Sequence, residues 1–97
     1  MTLIKDDSIL QIVSYLEKQL GKDNFQIADY WDADLCAIGL TDTNSNKLIY
    51  ISTYNKKADT FYVEIEKTRN TSGDKIIFEV VSKGQLLQIC KEKFLTN

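Results

Sequence analysis

The stretch Lys47-Leu48-Ile49-Tyr50-Ile51-Ser52-Thr53-Tyr54, the connection Asn55-Lys56-Lys57-Ala58-Asp59 and the stretch Thr60-Phe61-Tyr62-Val63-Glu64-Ile65-Glu66 read together as one hairpin. In the second stretch Phe61, Val63 and Ile65 alternate with Tyr62, Glu64 and Glu66, which assigns the first set to a core and the second to a half-wet surface. In the first stretch Ile49 and Ile51 oppose Tyr50, Ser52 and Tyr54 in the same way. A connection of five turn-forming residues is too short for a crossover helix, so the two strands pair antiparallel.

The same reading extends outward in both directions. Residues 25–29, 35–40 and 75–81 are further short segments rich in branched and aromatic residues, and they are bounded by the turn formers of 31–34, 42–46 and 70–74. Five strands with short connections predict an antiparallel meander. In the last of them Glu79 assigns Ile76, Phe78 and Val80 to the inside. Before the strands, Ser8-Ile9-Leu10-Gln11 has the form of a capping box, and Ile9, Ile12, Val13, Leu16 and Leu20 follow at helical spacing until Gly21 stops the run. After them, Ser82-Lys83-Gly84-Gln85 repeats the capping-box form, with Leu86, Leu87, Cys90 and Phe94 at helical spacing behind it. The expectation is a single α+β domain over residues 1–97, with a five-stranded antiparallel meander and an N-terminal and a C-terminal helix packed on one face.

Ninety-seven residues suit one core. A chain of this size buries roughly 60 to 65% of the surface its unfolded form exposes, enough to fold without metals or disulfides. There is no apolar run of membrane-spanning length and no basic start followed by an apolar stretch, so the reading is a cytoplasmic protein without anchor or signal peptide. Cys36 and Cys90 lie in apolar segments without metal-site spacing and read as buried thiols.

With both helices on one face, the other face meets water. It would display Tyr50, Tyr54, Tyr62, Glu64, Glu66 and Glu79, an acidic surface set with phenol rings. Such tyrosines also serve as cross-strand partners that shield the backbone. Charge is distributed unevenly along the chain. Residues 1–46 hold eight acids against three lysines, a net of −5, while residues 47–97 hold six acids against nine bases, a net of +3. From Asp23 to Asp42 five acids, Asp23, Asp29, Asp32, Asp34 and Asp42, follow one another without a base, with Tyr30-Trp31 in their middle. A field of one sign draws a partner of the other, and Tyr and Trp supply large, stiff contact area, so Asp29, Tyr30, Trp31, Asp32 and Asp34 join the open face as candidate partner-binding residues.

Catalysis finds little support. The chain has no histidine, which removes the commonest general base and metal ligand and excludes Ser-His and Cys-His pairs. Asp32 and Asp34 lack the loop that would make them calcium ligands, and the four glycines are too scattered to cradle a phosphate. No cofactor or metal is expected. Direct nucleic-acid binding is disfavoured by a pI near 5.0.

The run Trp31-Asp32-Ala33-Asp34-Leu35, followed by Ala37-Ile38-Gly39-Leu40 and Leu48-Ile49-Tyr50-Ile51-Ser52, resembles bacterial immunity proteins of contact-dependent growth inhibition and related polymorphic toxin systems, with a likeness of layout over residues 9–95. The resemblance implies a cytoplasmic antitoxin that binds one cognate toxin domain, commonly a nuclease acting on tRNA or other RNA, and blocks its active site. Such families share no functional residues, so none are carried over. Two rival readings remain: a small-ligand or regulatory binding module with a pocket beside Trp31, and a structural domain that forms a homo-dimer or larger oligomer through its sheet face or an edge strand.

Overall fold

Strand alternation and helical periodicity resolve into the layered arrangement they imply. The computed structural model describes residues 5–28, 34–43, 47–67 and 75–95. Helix α1 runs over Asp7–Leu20 and a single 3-10 turn over Lys22–Asn24; the strands are β1 (Gln26–Ile27), β2 (Ala37–Thr41), β3 (Lys47–Ser52), β4 (Thr60–Lys67) and β5 (Lys75–Ser82), and helix α2 closes over Lys83–Phe94. The sheet order is β1-β2-β3-β4-β5, each strand antiparallel to its sequence neighbour. The expected α+β meander with its two terminal helices is therefore the fold.

Register sorts the side chains into rows. On the inner face Ile38, Ile51, Val63 and Phe78 lie side by side, as do Leu40, Ile49, Ile65 and Ile76. The β2, β3 and β4 members of these rows are buried with Phe61 and Val81 against Ile9, Ile12, Val13, Leu16 and Leu20 of α1 and Leu86 and Cys90 of α2. Phe61, Val63 and Ile65 are thus core, as alternation requires.

Strand β5 departs from simple alternation. Phe61 faces Val81 and Val63 faces Phe78, so Glu79 and Val80 together stand against Tyr62 alone. This bulge shifts the pleat by one residue. Val80, expected inside, is 63% exposed, while Val81 takes the core position and is 4% exposed. The sequence offers no cue for it, because both candidates are valines.

The helices meet the sheet through specific ends. The Ser82 side chain accepts from the Gln85 backbone N–H at 3.2 Å, and Gln85 Oε1 accepts from the Ser82 N–H at 2.7 Å, completing the expected capping box of α2. The matching expectation for α1 is not met. Its helix begins two residues earlier, with Asp6 at the N-cap, and the Ser8 hydroxyl instead shares a 2.9 Å hydrogen bond with that of Thr53. Gly21 ends α1 at φ 90°, a conformation that suits only glycine, and its N–H returns to the Glu17 carbonyl at 2.9 Å. Phe94 of α2 stacks on Phe25 with ring centroids 5.6 Å apart. The Lys83 ammonium lies 4.3 Å from the centre of the Tyr15 ring, tying the start of α2 to α1.

Candidate functional site

Outward-facing residues also form rows. Gly39, Tyr50, Glu64 and Ile77 make one, Thr41, Leu48, Glu66 and Lys75 the next, and Ala37, Ser52 and Tyr62 a third. The face is not uniformly wet as alternation predicts, because Ala37, Thr41, Leu48 and Ser52 are buried. Among the described residues, the accessible part of this side runs over Tyr50, Tyr62, Glu64, Glu66 and β5, and reappears at Gln26 of β1. A shallow cleft of about 280 Å³ is lined by Leu48, Tyr50, Glu64, Glu66 and Lys75.

Electrostatics in the cleft follow from the pairing of β4 with β5. Lys75 Nζ stands 3.1 Å from Glu64 Oε1 and 3.8 Å from Glu66 Oε2, one ammonium between two carboxylates. The hydrogen bond to Glu64 and the charges of both glutamates raise the Lys75 pKa, so the ammonium is held firmly charged. Tyr62 hydrogen-bonds Glu64. Its pKa is raised by partial removal from water and by that carboxylate's charge and hydrogen bond. The rings of Tyr50 and Tyr62 meet edge to face at 6.1 Å, and Lys56 Nζ lies 6.0 Å from the Tyr62 centroid. Tyr50 is also raised, first by burial and then by the charges of Asp34 and Glu64. A residue early in the chain therefore joins the cluster electrostatically.

Asp34 is set there by backbone chemistry. Its carboxylate accepts the Cys36 N–H at 3.0 Å in an Asx turn, and its carbonyl accepts from Lys5 Nζ at 2.8 Å. Beside it the Asp6 N–H donates to Leu35 at 2.9 Å, and Thr53 N–H donates to Cys36 at 2.8 Å. The first turn of α1 and the end of β3 thus clamp the entry to β2. Cys36, expected buried, is half-buried; its Sγ donates to Asp6 Oδ2 at 3.0 Å, and this hydrogen bond, desolvation and the charges of Asp6 and Asp34 raise its pKa. Cys90 is buried as expected, and desolvation pushes its pKa to about 12.

Of the sequence-derived candidates, Asp34, Tyr50, Tyr62, Glu64 and Glu66 come together. Tyr54 stands apart in the β3–β4 turn, 74% exposed. Asp29, Tyr30, Trp31 and Asp32 lie outside the described residues. Sequence reasoning omitted Lys75 and Ile77, although a period of two counted back from an outward Glu79 reaches both. A second hollow, of about 140 Å³, lies between α1, the β3–β4 turn and the start of α2, lined by Ser8, Gln11, Thr53, Asp59, Thr60 and Lys83 among others.

Among the described residues no group of three or more Cys, Asp or Glu side chains converges as metal ligands, and no helix is long and apolar enough to cross a membrane. No family model, no curated protein and no solved structure matches this chain.

Proposed function

We propose that this protein is an immunity-type antitoxin of the bacterial cytoplasm, which occupies the active face of a cognate basic toxin domain, a nuclease acting on tRNA or other RNA, and inhibits it by occlusion without turnover. The observation that carries this reading is the cleft on the outer sheet face. Phenol rings and carboxylates from β3 and β4 converge there on one ammonium, beside the acidic entry to β2.

Lys75 marks where a cation rests on this surface. A partner's Arg or Lys reaching the same two carboxylates finds an aromatic wall in Tyr50 and Tyr62, and one ammonium offsets only half of the charge of Glu64 and Glu66. Carboxylates placed where phosphates would sit compete for a basic substrate groove. Among the described residues, size also favours a macromolecular partner: the hollows of about 140 and 280 Å³ fall below the roughly 300 to 1,000 Å³ of small-molecule sites.

The test is binding of the purified protein to the toxin domain encoded directly upstream, with survival of cells expressing both. Glu64→Lys/Glu66→Lys should weaken the complex at least about tenfold, since close interfacial charge pairs are coupled by roughly 1.5 to 7 kcal/mol. Rising salt should slow association by screening the field. Unchanged affinity of the folded double variant moves the site elsewhere, and absence of binding by the unmutated protein ends the immunity reading.

A further inference from the structure

The two edges of the sheet are built differently. At one edge β1 is only two residues long, which is a common way to blunt an exposed ladder. At the other edge β5 runs for eight residues, and among the described residues no strand lies beyond it. Every second residue along that outer side turns its backbone N–H and C=O away from β4, with no strand partner among the described residues. The side chains there are apolar on both faces: Ile76 is 50% exposed, Ile77 51% and Phe78 37%. Ile76 and Phe78 extend the inner rows past the buried core and remain partly exposed. A long, proline-free, apolar edge of this kind is a template for another strand.

The sequence of the edge specifies which strand. Antiparallel pairing of β5 with itself about a two-fold axis through Ile77 places Lys75 opposite Glu79 of a second copy and Glu79 opposite its Lys75. In the same register Ile76 meets Phe78 and Ile77 meets its own counterpart. Lys75, Ile77 and Glu79 alternate onto the outer face, while Ile76 and Phe78 lie on the inner face, so the ion pairs and the apolar pairs each fall on a matched side. A shift of this axis by one residue sets Lys75 against Ile77 or Val81 and loses both ion pairs. The bulge at Glu79 and Val80 limits the match to residues 75–79 by turning the strand beyond them.

We infer that β5 pairs with β5 of a second copy in this register, forming a symmetric dimer with a continuous ten-stranded sheet. The interface is separate from the Tyr50–Tyr62 cleft except at Lys75, which lies at the margin of both. It stands independently of the antitoxin reading.

Sedimentation velocity over a concentration series tests it. The unmutated protein should shift from monomer to dimer with concentration. Ile77→Lys, which sets two like charges face to face on the axis, should abolish the dimer. Lys75→Glu and Glu79→Lys should each weaken self-association at least about tenfold by juxtaposing like charges. Mixing these two variants should restore a dimer, because each then meets its complement. In a Cys36→Ala background, Ile77→Cys should form an intermolecular disulfide under mild oxidant, since directly opposed residues have Cα atoms about 4.5 to 5.5 Å apart. That measurement keeps the inference open to failure where a charge variant loses its fold by circular dichroism. A protein that stays monomeric throughout overturns the inference. So does a dimer untouched by Ile77→Lys, or one that Ile77→Cys fails to cross-link.

Discussion

The two thiols sit in contrasting surroundings. Cys90 is enclosed between α2 and the sheet and is held near a pKa of about 12 against an ordinary 9.0, by burial alone. Because the folded value is raised, the neutral thiol's contribution to stability is complete below about pH 9, the ordinary value, and is lost as pH climbs through the raised one. Cys36 faces Asp6 and Asp34, and its thiolate is disfavoured first by its hydrogen bond to Asp6. At pH 8 a disulfide reagent should therefore label one thiol slowly in the native protein and the second only on unfolding. Asp6→Asn should accelerate the first reaction, since it removes a carboxylate that opposes ionisation. Mass mapping that finds Cys90 labelled in the folded state would contradict the packing described. The burial of Cys90 was legible from the helical spacing of Leu86, Cys90 and Phe94. The contact between Cys36 and Asp6 was not, because it joins an N-cap to the entry of β2 across 30 positions of chain.

At the level of elements, alternation identified the inner residues of β3 and β4 because Ile49 and Ile51 alternate with Tyr50 and Ser52, and Phe61, Val63 and Ile65 with Tyr62, Glu64 and Glu66. It failed in β5, where an edge position removes the contrast between faces and a bulge moves the pleat. Val81→Ala should lower stability by roughly 1 to 3 kcal/mol, whereas Val80→Ala should change it by less than about 0.5, a contrast that denaturant unfolding resolves. The two capping-box patterns make a parallel case. Ser82→Ala should cost about 1 kcal/mol because its hydroxyl satisfies the Gln85 N–H. Ser8→Ala should cost less, since the hydroxyl caps nothing and its bond to Thr53 is exposed. Sequence alone could not separate them: the same Ser-x-x-Gln pattern competes at α1 with an Asp one helical turn before Leu10, and Asp6 takes the N-cap. The pairing of acids and tyrosines on the outer face was readable from the period of two, while the burial of Leu48 and Thr41 on that face depends on tertiary cover that no local pattern reports.

For the molecule as a whole, Lys75 links two surfaces with opposite demands on charge. At the cleft it offsets Glu64 and Glu66, and at the edge it faces Glu79 of the second copy in the proposed register. Lys75→Gln should therefore quicken association with a basic toxin domain by leaving both carboxylates uncompensated, and should weaken self-association in the same preparation. Stopped-flow binding and sedimentation on one protein sample check both signs. Movement of both quantities in the same direction would show that the two surfaces are not arranged as described.

The neighbour-to-neighbour order of the strands also governs how the chain reaches its fold. Each strand pairs with its neighbour in sequence, so the sheet can form strand by strand without a long-range crossover. Closure of the core is different, because Phe25 must wait for Phe94 and α1 for α2. During synthesis the strands can pair in turn while the inner face around Phe61 and Val63 still lacks its second cover. A chain halted after Ser82 would carry a nearly complete sheet with its apolar side half open, and its fate would be set by chaperones and by collision with other unfinished chains.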